Sequence, residues 1–232
     1  MVGMRGLNAA PYGKGWGTMS VDPAFVSEFK SGDTRRSASI IDWEAEGITS
    51  LAAFGDTYRD QREYTGYTIK KYSPLCYADG TSASKEDGSG DFQLSNHQDY
   101  VIMRYADVLL MAAELGSPKA QEYFDEVRKR AYTSEGTLSA NYSQLPVTKE
   151  NIMQERRLEF AFESINYWDL LRQGVDYAAS KLALSEKQVY SGGIVDFITI
   201  SADRIRTTKG LSQIPYNQIT LSNGTLVQNA GW

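Results

Sequence analysis

With 232 residues, 24 Lys and Arg against 29 Asp and Glu and a formal charge of −5, the chain has no basic surplus to displace phosphate counterions, which argues against a nucleic-acid partner. A single cysteine, Cys76, excludes an internal disulfide, and no run of about 18 apolar residues is present to span a membrane. A chain of this length buries roughly 70 to 75% of its unfolded surface, enough for one sizeable core or two small ones.

The opening MVGMRGLNAAPYGKGWG lacks the apolar core of about 7 to 15 residues and the small-residue cleavage site of a secretory signal, so any export or anchoring signal is expected outside this sequence. Asp22-Pro23 reads as an N-cap followed by Pro at the first helical position, opening a short helix that Gly32 closes. From Asp33 to about Ser95 the pattern is irregular and punctuated by Gly55, Gly66, Pro74, Gly80 and KEDGSGD, leaving room only for short strands such as Tyr67 to Tyr72. Loops of this kind, held on a rigid scaffold, are where binding residues usually sit.

Tyr100 to Leu115 is apolar almost all round, with Arg104, Asp107 and Glu114 on one stripe, which predicts a buried helix with paired charges. Gly116 ends it, and Ser117-Pro118 starts a second helix running to about Arg130, whose closing Arg128, Lys129 and Arg130 suit a helix carboxyl end. The two helices and their turn span close to the ~34 residues of a tetratricopeptide unit, which buries its faces only by stacking on neighbours. Thr148 caps the next helix, predicted to run on through ERRLEFAFESINYWDLLRQG to Gly174. Leu158, Ala161, Phe162, Ile165 and Trp168 share one face of it, and Phe160, Tyr167 and Leu171 form a second stripe. Asp169 and Arg172 are expected as a buried pair, and Glu155, Glu159, Glu163 and Asn166 as a narrow polar strip. A weaker helix near Tyr177 to Leu184, a strand at Val195 to Ile200 and an irregular tail follow. The whole is expected as one domain, 1–232, with a loop-rich ligand-binding part at 1–95, a helical scaffold at 96–174 and a carboxyl-terminal segment at 175–232.

The acidic stripe Glu155, Glu159, Glu163 raises a dimetal carboxylate site, but such sites want His three residues after a Glu, where Leu158, Phe162 and Asn166 stand. The chain's one histidine, His97, lies elsewhere, so no metal site, hydrolase triad or phosphate loop can be assembled, and an ion-pair network with Arg104, Arg128 or Arg130 is the better reading. The loop acids Asp42, Glu44, Glu46, Asp56, Asp60 and Glu63 offer a glycosidase pair in principle, with nothing to single out two of them. The Asp87 and Asp91 loop fails the EF-hand spacing. What remains is aromatic stacking: the chain holds 15 Tyr and four Trp, and such rings give sugars flat apolar faces with a polar edge. Trp16 between glycines, Trp43 in DWEAEG, Tyr12, Tyr58 and Tyr64 are the candidate rings, with Arg59, Asp60 and Gln61 as planar partners for sugar hydroxyls. Trp168 and Trp232 are assigned to packing.

Several segments also resemble a known family. The run from Glu155 is similar to a signature of the RagB/SusD family, NHQDYVIMRYADVLLMAAE (96–114) to its "RyADvLLmyAEa" helix, and FDEVRKRAY (124–132) to its "iNxVRxRA" helix. TGYTIKKYSP (65–74) resembles "tGyxxxKy", and LSQIPYNQITLSNGTLVQNAGW (211–232) resembles the ending "LfPIPxxEixxNxxLxQNPGY". The order of the motifs matches as well. The chain departs from the pattern at Ser164, where Gly is usual, at Asn166, at Gln213 and at Ala230.

The resemblance implies a mainly α, SusD-like scaffold of tetratricopeptide type with long irregular loops and a few short strands, of which this sequence would be the carboxyl-terminal half. It implies non-catalytic capture of oligosaccharide or polysaccharide on the outer surface of the outer membrane, without a cofactor, for a SusC-like TonB-dependent transporter. Contact with the membrane would come only through a lipid anchor outside this sequence. No family motif fixes the ligand residues, so the aromatic candidates rest on composition and loop position. A helical-repeat scaffold for a protein or peptide is the alternative, and a glycoside hydrolase the third.

Overall fold

The computed structural model describes residues 4–5, 9–17, 20–48, 55–83, 99–191 and 193–232. His97 and the Asp87 and Asp91 loop lie outside the described residues. The chain is mainly helical and divides into two compact units, Met1–Ser164 with Gln188–Val195, and Ile165–Lys187 with Asp196–Trp232.

In the first unit, strands β1 (Met4–Arg5) and β2 (Lys14–Gly15) pair in parallel and lead to α1 (Pro23–Val26), where Asp22 Oδ1 accepts from the Ala24 amide at 2.7 Å and Pro23 opens the helix. The segment expected to be irregular contains a helix, α2 (Arg35–Ser39), that runs straight into β3 (Ile40–Asp42). Strand β3 pairs antiparallel with β4 (Tyr67–Ile69), Ile40 opposite Ile69 and Asp42 opposite Tyr67. Because side chains alternate across a strand, Ile40 enters one apolar cluster with Val21, Phe29, Ile69 and Leu158, while Ile41 enters another with Ala9, Tyr12, Trp43 and Ile48. This short sheet is the wall between two cores.

Helices α3 (Tyr105–Glu114) and α4 (Ala120–Ala131) form the expected helical hairpin, and α5 (Lys149–Glu159) packs on α3. Leu110 and Phe124 are fully buried there. The expectation that 100–115 is buried all round is corrected: Leu109, Leu110 and Ala113 are buried, whereas Ile102, Met103, Tyr105, Val108 and Leu115 are exposed, Ile102 to 85%.

Thr148 caps α5 as expected, its Oγ1 accepting from the Asn151 amide at 3.2 Å. The long helix to Gly174 does not form. It stops after Glu159, the left-handed residues Phe162 (φ 67°) and Ser164 (φ 65°) turn the chain, and α6 (Asn166–Leu171) starts afresh. The break puts the Phe162 ring edge-on against Phe25, centroids 5.8 Å apart, and returns Glu163 toward Arg104. Ser164 stands where the resemblance expects Gly because the backbone there is left-handed, a conformation glycine adopts at no steric cost.

The second unit holds α6, α7 (Val175–Leu182), α8 (Ala202–Thr208) and α9 (Tyr216–Leu221). Helix α7 packs against α6 and α8, and its Ala178 and Ala179 are fully buried. Trp168 is 63% exposed, not packed as expected, and Asp169 pairs with Arg172 at 2.8 Å on the surface rather than in the core. Trp232 is held: its Nε1 donates to the Leu211 carbonyl at 2.9 Å and the Arg204 guanidinium lies 3.9 Å over its ring. Gln228 ties the tail down, accepting from the Ile214 amide at 2.8 Å and donating to its carbonyl at 2.9 Å. Strand β7 (Leu184–Ser191) pairs with β8 (Ile194–Ile200), and the tip, 188–195, belongs to the first unit.

Candidate functional site

The acidic row turns out to be scaffold. Glu155, Glu159 and Glu163 are 2%, 2% and 7% exposed, so the narrow polar strip lies inside. Arg35 reaches it from α2, Nη1 donating to Glu155 Oε1 at 2.6 Å and Glu159 Oε2 at 3.3 Å, while Nε and Nη2 grip Asp33 at 2.9 and 2.6 Å. Arg128 donates to Glu155 Oε2 at 2.9 Å. Arg104 donates to Glu159 Oε1 at 2.7 Å and Glu163 Oε2 at 2.8 Å, Arg130 also bonds Glu159, and Lys71 bonds Glu163 at 2.7 Å. Burial pushes the Glu159 carboxyl up, but the Arg104 hydrogen bond and the charges of Arg130, Arg104 and Arg35 outweigh it and hold the group below its ordinary range. Arg104, Arg128 and Arg130 are the cations expected from the sequence. Arg35 and Lys71 were missed, the only local hint for Arg35 being an Asp two residues before it. Among the described residues no three His, Cys, Asp or Glu side chains converge as a metal site.

The candidate rings lie on the other core. Tyr12 and Trp43 are 3% and 5% exposed, so neither offers a free face: Trp43 sits two residues after Ile41 on the same inward side, and its Nε1 donates to Thr68 Oγ1 at 2.9 Å. The Tyr12 hydroxyl bonds Glu46, and burial first, then that carboxylate, push its pKa well up. Both, expected as ligand-stacking rings, are instead buried in this core. Tyr64 stands edge-on to Trp43, centroids 5.4 Å apart, and Tyr58 edge-on to Tyr64 at 5.6 Å. The Arg59 guanidinium lies 4.8 Å over the Tyr58 ring and donates to Glu44 Oε1 at 2.7 Å, and the Tyr58 hydroxyl reaches the same oxygen at 3.4 Å. Arg59 holds the Glu44 carboxyl below its ordinary range, while burial raises the Tyr64 hydroxyl.

The structure thus brings together Tyr58, Arg59 and Tyr64 over Trp43, with the edges of Glu44 and Arg59 exposed. Trp16 is 46% exposed, one residue from Gly17, which lines a recess of about 20 Å³ together with Trp43, Gln61 and Tyr64. That volume holds about one water, so a ligand here lies across the surface rather than in a cavity. A wider hollow of about 560 Å³ opens between Lys30, Arg36, Asp42 and Glu46, where Phe29 in the wall is buried. Four of the six loop acids named as glycosidase candidates are engaged: Asp42 with Arg36 at 3.0 Å, Glu44 with Arg59, Glu46 with Tyr12, and Glu63 with Arg62 at 3.4 Å.

Residues 3–232 match the model of the SusD family. SusD-like protein P2 of Formosa agariphila is 27% identical over 184 residues, covering 74% of this chain and 34% of its own length. Among solved structures, surface glycan-binding protein A from Bacteroides fluxus superposes with a TM-score of 0.71 at 29% identity, over 100% of this chain and 44% of that one. Surface glycan-binding protein A from Bacteroides thetaiotaomicron, in complex with laminarihexaose, gives 0.68 at 28% identity, over 96% of this chain and 43% of that one. The chain therefore spans about a third of the length of this curated relative and under half of the solved ones.

Proposed function

We propose, from the premise that this chain belongs to the SusD family, that it takes part in capturing a glycan at a bacterial outer surface and passing it, uncleaved, to a SusC-like TonB-dependent transporter. The protein would be held at the outer membrane by a lipid anchor. The observation that carries the reading is the group of half-buried Tyr58 and Tyr64 with exposed Arg59 and Glu44, backed by buried Trp43. A pyranose lays its apolar face on a ring, while its hydroxyls take the planar donors of Arg59 and the oxygens of Glu44. Trp16 supplies a further ring face nearby, and Tyr12 and Trp43 stiffen the floor.

Because one similar structure carries laminarihexaose, that oligosaccharide is the first ligand to try. Calorimetry of the full-length protein against laminarihexaose, cellohexaose, maltohexaose and xylan tests the reading. Binding to at least one glycan is expected, weakened tenfold or more in Tyr58→Ala and Arg59→Ala, with no reducing ends released. Silence across the panel, or undiminished binding in both variants, refutes it. Co-purification of a TonB-dependent transporter with the tagged protein from outer membranes tests the second half.

A further inference from the structure

The segment that carries Tyr58, Arg59 and Tyr64 begins as a single 3-10 helical stretch, Gly55–Asp60, and its side chains tie it to Trp43 and Glu44. Among the described residues, two backbone hydrogen bonds leave 55–64 for the rest of the first unit, and both go to the tip of the β7–β8 hairpin. The Glu63 amide donates to the Val189 carbonyl at 2.7 Å, and the Gly193 amide donates to the Asp60 carbonyl at 3.4 Å. These bonds bracket a strained point. Glu63 has φ 62°, left-handed without being glycine, and a conformation of that kind persists only where its surroundings enforce it. The next residue is Tyr64, whose ring joins Trp43 below to Tyr58 above. Gly193 shows how close the tip lies: its φ is +77°, and a Cβ there would meet Asp60 Oδ1 at 2.8 Å.

We propose that the hairpin tip, residues 188–195, is a strap that holds Glu63 in its left-handed turn and thereby positions Tyr64 and the ring group for ligand. Gly193 and the Val189 carbonyl are positioning elements and need not touch the glycan. The proposal rests on the glycan-binding reading above, and its test has one readout that needs no glycan.

In the full-length protein, Gly193→Val puts a β-branched residue at a positive φ, which strains the tip backbone, and its Cβ against the Asp60 carboxylate, which must swing aside or push the tip away. Amide exchange measured by mass spectrometry is expected to rise at least tenfold at 61–65 while α4 keeps its protection. Affinity for whichever glycan the wild type binds is expected to fall fivefold or more. Ile194→Ser alters an exposed tip side chain and leaves the backbone bonds alone, and is expected to change neither readout. Unchanged exchange at 61–65 in Gly193→Val overturns the strap. So does raised exchange with full affinity, or an affinity loss in Ile194→Ser equal to that in Gly193→Val, which would make the tip a ligand contact instead. If the wild type binds no glycan, the functional reading falls by itself, and the exchange result alone decides whether the tip holds Glu63.

Discussion

Replacing Glu155 by Gln isolates what the buried charge row does for stability. The carboxylate is 2% exposed and accepts from Arg35 at 2.6 Å and Arg128 at 2.9 Å. Arg35 keeps Asp33 and Glu159 after the change, but Arg128, itself buried, is left with the Ser143 carbonyl and the face of Tyr132. Removing one member of a buried pair costs about 3–5 kcal/mol, because a charge stays behind without its counterion. Glutamine keeps the volume and one acceptor, which puts Glu155→Gln near the lower end, about 3 kcal/mol. At roughly 2–4 °C per kcal/mol for a chain of this size, the calorimetric transition should drop by about 6–12 °C. The internal control is Glu28→Gln, which breaks a two-pronged bridge to Arg157 at 2.9 Å whose side chains are 30% and 22% exposed. Solvent already screens that pair, so its loss is expected to cost about 1 kcal/mol or less. In the double variant Glu155→Gln/Arg128→Met, the loss should be smaller than the sum of the single losses. Equal shifts for Glu155→Gln and Glu28→Gln would refute the assignment of the row as the scaffold's electrostatic core.

Three further outcomes follow from the same geometry. The Glu159 carboxyl is depressed below the ordinary value of 4.5, so its contribution is complete above that pH and is lost as pH falls through the lower folded value; urea midpoints from pH 7 to pH 3 should fall less steeply in Glu159→Gln than in wild type. Ser164→Gly relieves a left-handed serine on the surface and should stabilise by about 0.5–1 kcal/mol, read as a higher urea midpoint. Trp43→Phe removes the indole donor to buried Thr68 and should cost about 1–2 kcal/mol. It should also weaken glycan binding, because Tyr64 leans on that ring.

Local chemistry was legible in the sequence wherever a few adjacent residues decide it. Asp22-Pro23 and Thr148 cap their helices as written, and Arg104, Arg128 and Arg130 find the acidic row. The break after Glu159 was not legible, because Leu158, Ala161 and Phe162 keep helical spacing straight through it and the left-handed positions are Phe and Ser rather than glycine. Arg35 was hidden for a different reason: its short helix lies where glycines and loop residues dominate, and its partners are 120 and 124 positions away. For the candidate site, composition pointed to these loops without separating the buried rings from the half-buried ones. Trp43 sits among acidic residues that read as a surface loop, and only the pairing of β3 with β4 turns its ring inward. The hairpin tip at 188–195 carried no sequence signal linking it to the ring segment, since two backbone hydrogen bonds make the connection.

The charge row also bears on how the first unit assembles. Its bonds close loops of very different size: 27 positions from Arg128 to Glu155, 59 from Arg104 to Glu163, 92 from Lys71 to Glu163 and 120 from Arg35 to Glu155. Until the longest of these closes, carboxylates bound for the interior have only some of their counterions, and burying them early is penalised. The ring segment and its strap rest on a core whose strand β3 follows directly from α2, the helix that carries Arg35. The ring segment precedes Glu155 in sequence, so the core beneath it reaches charge balance only when the chain through Glu155 has joined it.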